Sequence, residues 1–182
     1  MDKVIFRLIT LVLVAVGIVG CNSNPTAFNA PSLNTTSSFY IEHISLVTEQ
    51  LVTPDIEYHT QAEIEKKVSD GVYQSLSQKG LLSDDTSMTT LNIEVVYQRR
   101  FVGDKTPIPS DSLAPPIFDY VIALQTGDKE VSSVSRKGLT YNGGFAKNLK
   151  IAGGLLRKKS DEEAFINALV NSIVETIEAI GK

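Results

Sequence analysis

Two histidines, His43 and His59, are the side chains best suited to general-base or metal chemistry near neutral pH, and they lie sixteen residues apart. Either would need a second ligand or a carboxylate brought to it by the fold, so a hydrolytic site built on them is nonlocal, with acids such as Asp55 or Glu42 as its candidates. The plainer reading is two structural or solvent-facing histidines. Asp84-Asp85 pairs two carboxylates, but adjacent acids in a Ser/Thr-rich stretch read as a solvated turn. The glycine pairs Gly143-Gly144 and Gly153-Gly154 lack the Lys-Ser/Thr that follows a phosphate-binding loop, and they read as loop. The sequence holds no G-x-S-x-G elbow, no H-E-x-x-H and no S-x-x-K with a partner motif. It therefore assigns no catalytic residue, no metal ligand and no cofactor.

Two segments have the chemistry of contact rather than catalysis. Lys147, Lys150, Arg157, Lys158 and Lys159 are set among Phe145, Leu149, Ile151, Leu155 and Leu156. This locally basic and apolar segment suits anionic headgroups, lipopolysaccharide phosphates or an acidic protein, against the ordinary reading of a loop with its cations in water. The second is the proline-rich stretch Gly103 to Pro116, preceded by Arg99-Arg100. Long loops inside compact domains are often binding elements, and otherwise are surface connections.

The balance of the whole chain is that of one ordinary globular domain: 182 residues, 42% hydrophobic and 21% charged. Collagen, coiled coil and full-length disorder are excluded. A net charge of −4 argues against a nucleic-acid partner, which selects for a basic excess. A single Cys forms no internal disulfide, and two His are too few for a Cys/His zinc site.

That Cys stands at the end of a leader. Lys3 and Arg7 give a positive start, and Leu8 to Val19 is apolar except for Thr10 and Gly17. The run is about half of the roughly 20 residues a spanning helix needs, so it reads as a signal peptide over residues 1–20. Ile18-Val19-Gly20-Cys21 resembles the lipobox of bacterial lipoproteins. The resemblance implies cleavage before Cys21, a diacylglycerol on its sulfur and an acylated new amino terminus, which together anchor the protein in a membrane. It further implies that Asn22, in place of an inner-membrane retention Asp, directs the protein to the outer membrane, facing the periplasm. Without residues 1–20 the chain keeps 15 basic and 20 acidic side chains. Residues 21–38, with two Pro, many Asn, Ser and Thr and no charge, read as a flexible linker with a reach of about 20–24 Å.

The remaining residues, 39–182, read as a single α+β domain that must position any site. Phe39 to Val47 is rich in β-branched and aromatic residues and predicts a strand. Thr60-Gln61-Ala62-Glu63 is a capping box, followed by a stripe of Ile64, Val68, Val72 and Leu76 and a stop at Gly80. Alternation predicts strands over Leu91 to Phe101, Phe118 to Gln125 and Glu130 to Lys137, with Leu139 and Tyr141 past Gly138 open to the last as an extension, and a hairpin turn at Thr126 to Lys129. A second capping box at Ser160 to Glu163 opens a helix with a wide apolar stripe, ending near Gly181. The order β-α-β-β-β-α predicts a largely antiparallel sheet of about four strands with two helices on one face. The expected role is a non-enzymatic binding or assembly module of the cell envelope with an envelope protein as partner. Envelope hydrolysis and lipid or lipopolysaccharide binding stand as alternatives.

Overall fold

The computed structural model describes residues 38–181; the leader, Cys21 with its lipobox-like residues, and the linker through residue 37 lie outside the described residues. The elements are β1 (Tyr40–Gln50), α1 (Gln61–Gln78), β2 (Thr90–Phe101), β3 (Leu113–Thr126), β4 (Lys129–Thr140), α2 (Gly144–Ala152) and α3 (Lys159–Ile180). The fold is α+β as expected, with one helix more than the sequence pattern announces.

The four strands form one sheet in the order β1-β2-β3-β4. β2–β3 and β3–β4 are antiparallel, whereas β1 and β2 run parallel because α1 carries the chain back between them. Strand side chains alternate between faces, so Leu91, Ile93, Val95 and Tyr97 point inward with Phe118, Tyr120, Ile122 and Leu124. They meet α1 and α3, which lie together on that face.

The start of α1 follows the predicted capping box. Thr60 Oγ1 accepts from the Glu63 N–H at 3.2 Å, and the Glu63 carboxylate accepts from the Thr60 N–H at 2.8 Å. The stripe of Ile64, Val68, Val72 and Leu76 is fully buried, and Gly80 ends the helix with a left-handed φ of 68°. Gly71 faces Val170 of α3, where a Cβ would lie 3.0 Å from a valine methyl, so the two helices approach more closely than side chains at both positions would permit.

Three local expectations are corrected. The glycine-bounded segment after β4 is a nine-residue helix, α2, docked by the burial of Ile151, rather than a loop. The connection after β2 is shorter than Gly103 to Pro116 because β3 begins at Leu113. Pro115 and Pro116 fall where the register shifts opposite Gln98 to Arg100, a place where a strand can dispense with N–H groups. α3 begins at Lys159 rather than after a Ser160 cap. The Asp161 carboxylate accepts from the Lys158 N–H at 3.0 Å, since Glu163 is drawn instead to Lys67 and His59.

A second, smaller core closes the end of the sheet where β2 stops and β3 starts. Tyr58, Phe101, Leu113, Ile151, Leu156 and Phe165 pack there, and Ser112 ties the strand to the segment after α2 through the Leu156 N–H at 3.1 Å. The described residues thus bury two neighbouring hydrophobic clusters of their own, the larger between the sheet and the helices and the smaller at its end. The sheet edges differ. Along β1 the Thr48 N–H donates to Gln61 Oε1 at 3.0 Å, and the Tyr73 hydroxyl donates to the Ile41 carbonyl at 3.3 Å, so α1 side chains dress that edge. β4 is interrupted at Gly138, which has φ 66° and donates its N–H to Asp119 Oδ1 at 2.7 Å.

Candidate functional site

Alternation along β2 puts Arg99 on the inward face, in line with Val95, Tyr97 and Phe101. The apolar stripe of α3, followed back from Leu169 through Ile166 and Phe165, begins at Glu162. The two side chains meet inside the protein at relative exposures of 7% and 0%. Arg99 Nε donates to Glu162 Oε1 at 2.7 Å and Nη2 to Oε2 at 3.3 Å, a two-point contact that fixes both planes. Arg99 also donates to Gln50 Oε1 at 2.8 Å and to the His59 carbonyl.

Glu162 is surrounded by donors. It accepts from the His59 N–H at 3.1 Å and from the Tyr97 hydroxyl at 3.3 Å, and His59 Nδ1 lies 3.1 Å from Oε2. The other ring nitrogen of His59 lies 3.1 Å from Glu163 Oε1, which also pairs with Lys67 at 2.8 Å. Beside this, Lys159 pairs with Glu63 at 2.7 Å. That pair and the Thr60 N–H pull the Glu63 carboxyl down to about 2, and Lys67 foremost, with His59, lowers that of Glu163. Burial, with Glu162 adding to it, pushes the Tyr97 phenol well above its usual range. Tyr58, whose hydroxyl donates to the Asp111 carbonyl at 2.6 Å, is pushed up to about 12, chiefly by burial.

This cluster ties the segment before α1, the end of β2 and the start of α3 into one unit. Its carboxylate is spent on internal donors and His59 is buried between two acids. The arrangement is that of a structural fastener, the buried Glu162 carboxylate being held by Arg99, His59 and Tyr97.

The hydrolytic grouping of His43, His59, Asp55 and Glu42 is not assembled. His43 pairs with Asn92 near the start of β2, whereas His59 is bound at Arg99, seven residues further along and therefore about 23 Å away at 3.3 Å per residue. Glu42 accepts from Asn92, and Asp55 donates its N–H to Asp111. Asp85 organises a turn by accepting from the Ser87 N–H at 2.9 Å, which lowers its carboxyl. Among the described residues no cluster of three or more His, Cys, Asp or Glu is placed to hold a metal, and no helix is long and apolar enough to cross a membrane.

The predicted contact cations divide into groups. Arg99 is buried on Glu162, which corrects its reading as a surface contact, and Arg100 is turned onto Asp104 with Nη2 to Oδ1 at 2.9 Å. Arg157 pairs with Asp111 at 3.3 Å, Lys159 is held by Glu63, and the Lys147 ammonium lies 5.9 Å from the centre of the Phe165 ring. Lys150 and Lys158 are exposed and make no ion pair among the described residues.

Sequence reading missed Glu162 and Gln50 as partners of Arg99, and Tyr97 as a donor to Glu162. The signal was present as two charges at core positions, an Arg on the inward phase of a strand and a Glu at the head of an apolar stripe.

The sheet face away from the helices is uncovered. Val47, Val96 and Val121, from three adjacent strands, line an open hollow of about 420 Å³, with Glu94 and Asp119 and the cations Arg136 and Lys137 of β4 around them. Val47 and Val96 are 52% and 37% exposed.

Fold and site together define an α+β domain with a mixed four-stranded sheet, an internal ionic fastener and one bare sheet face. No protein-family model matches the chain, and no curated protein matches it. Among solved structures it is similar to a Xanthomonas campestris protein of the DUF330 family, at 10% identity over 79% of this chain and 85% of that one, with a TM-score of 0.40. It is also similar to a minor lipoprotein from Acinetobacter baumannii, at 14% identity over 75% of this chain and 91% of that one, with a TM-score of 0.32. Likeness at this level transfers no residue and no role.

Proposed function

We propose that the chain is a lipoprotein acylated at Cys21, held at the outer membrane facing the periplasm, whose domain is a non-enzymatic module that receives an envelope protein on its uncovered sheet face. The observation that carries the reading is the contrast between the interior and that face. Inside, the groups able to do acid-base work are consumed by one another. Outside, three valines from three strands form an apolar floor bordered by side chains of both charges, the mixed composition of a protein contact rather than of an enclosed small-molecule pocket. The resemblance of Ile18-Val19-Gly20-Cys21 to a lipobox supports the anchor.

The test is site-directed. A photo-cross-linking residue placed at Val96 or Val121 in the lipidated protein captures one envelope protein in cells, and the Cys21→Ser form, lacking its acylation site, captures much less. The captured protein, once purified, binds the domain with an affinity lowered at least about tenfold by Val96→Glu, because a carboxylate then has to leave water in the apolar floor. Unchanged binding by that variant, or turnover of an envelope substrate by the purified domain, overturns the reading.

A further inference from the structure

Nine large apolar side chains stand exposed among the described residues, and the topology brings five of them, Leu51, Ile108, Phe145, Leu149 and Leu155, to one end of the domain. Parallel β1 and β2 both finish there, the β2–β3 connection carries Ile108, and β4 delivers the chain into α2 at the same end. The segment after α2 is fastened alongside, since the Leu113 N–H donates to the Leu156 carbonyl at 2.9 Å. Single exposed apolar residues need no explanation, whereas a gathering of them marks a contact surface.

α2 is the centre of this end. Ile151 faces inward at 8% exposure, while Phe145 and Leu149, one turn apart, are 85% and 62% exposed. Its own stretch of chain is positive, while Asp111 and Glu63 from other elements take up Arg157 and Lys159. Between Glu130 and Asp161 the sequence holds seven Lys and Arg and no Asp or Glu, in a protein whose net charge is −4. Lys150 follows Leu149 directly, and Lys158 lies three residues beyond Leu155.

We infer that this end is a membrane-contact tip for an anionic phospholipid bilayer, with Phe145 and Leu149 entering the headgroup boundary and Lys150 and Lys158 resting on lipid phosphates. The apolar side chains project from the end of the molecule, with long cationic side chains beside them whose stems follow the apolar surface while their ammonium groups stay at headgroup level. Lys150 and Lys158, exposed beside these side chains, select an anionic surface over a neutral one. Phe39, where the described chain begins, lies at the opposite end, pairing with Leu82 beside the start of β1, so the tip is presented away from the point of entry. The inference does not depend on Cys21 or on the uncovered sheet face.

The chain has no Trp, so Phe145→Trp supplies a single fluorescent reporter at the tip. This variant, prepared from Asn22 onward without leader or acyl group, is mixed with vesicles of equal phosphatidylglycerol and phosphatidylcholine, and separately with phosphatidylcholine alone. The expected result is a blue shift, quenching by brominated lipid and co-sedimentation with the anionic vesicles only, weakened at least about tenfold when salt rises from about 0.05 to 0.5 M. A Val131→Trp reporter at the far end of β4 is expected to stay unshifted. Without the reporter, Phe145→Ser/Leu149→Ser and Lys150→Glu/Lys158→Glu each lower co-sedimentation at least about tenfold while circular dichroism stays native. No binding to anionic vesicles, equal binding to neutral ones, an equal shift at Val131→Trp, or undiminished binding by natively folded double variants overturns the inference.

Discussion

Replacing Arg99 by Met removes the only guanidinium in contact with a carboxylate that has no exposure to water. The Met side chain fills much of the same volume, so the change isolates charge from packing. Breaking a buried pair from one side costs about 3–5 kcal/mol, because the remaining charge keeps its desolvation penalty and loses its counter-charge. Glu162→Gln breaks the pair from the other side and strands the cation at similar cost, while its amide oxygen still accepts from Tyr97 or His59. In the double variant neither charge remains. With no charge left stranded, its loss is expected to fall below that of either single variant, instead of reaching the roughly 6–10 kcal/mol that independent sites would give. Urea unfolding followed by far-ultraviolet circular dichroism reads this directly. With a slope of about 1–3 kcal/mol/M, each single variant lowers the midpoint by about 1–5 M. Additive losses, or single-variant losses below about 1 kcal/mol, refute the assignment of this cluster as the fastener of the fold.

Acid is expected to loosen the same region. The Glu63 carboxyl, held near 2 by Lys159 and the Thr60 N–H, and the lowered carboxyl of Glu163 both ionise more readily folded than unfolded. Their contribution is present above the ordinary value of 4.5 and is lost as pH falls from there toward 2, so the urea midpoint drops through that window and Lys159→Ala flattens the drop. At the alkaline side, Tyr58 is raised to about 12, so the folded state prefers its neutral phenol and loses stability as pH climbs from 10 to 12. Burial also raises Tyr97 and Tyr73, so ultraviolet titration is expected to show several phenolates forming late, and Tyr58→Phe to remove one of them. Leu76→Ala empties a fully buried position at the end of the α1 stripe and is expected to cost about 2–5 kcal/mol in the same unfolding assay.

Periodicity and caps made most of this architecture legible. Ile64, Val68, Val72 and Leu76 announced α1 and its buried face, and alternation placed β2 and β3 with their inward residues. Those signals are local, and they report elements whose stability is set by one repeated face. α2 was missed because its nine residues sit between glycine pairs and bury only Ile151, leaving too little periodic burial to stand out from a loop. The parallel pairing of β1 with β2 was missed because strand direction depends on what the crossover permits, which no single strand encodes. The ionic fastener was half legible. Arg99 was noticed as a charge beside a proline-rich loop, but its phase among Val95, Tyr97 and Phe101 is what assigns it to the interior. Its partner lies 63 residues away on another element, beyond any local spacing rule.

The interruption of β4 has a consequence for crowding. Copies of a chain held at a surface diffuse in two dimensions at high local density, and they meet repeatedly in similar orientations. A straight, bare strand in that setting would let one copy add to the sheet of the next and propagate into a ribbon. The kink at Gly138 spends a strand amide on the Asp119 carboxylate and breaks the even ladder of donors and acceptors, while Lys129 and Lys137 set like charges against any arriving copy. The β4 edge is therefore a poor template for a second copy of the chain.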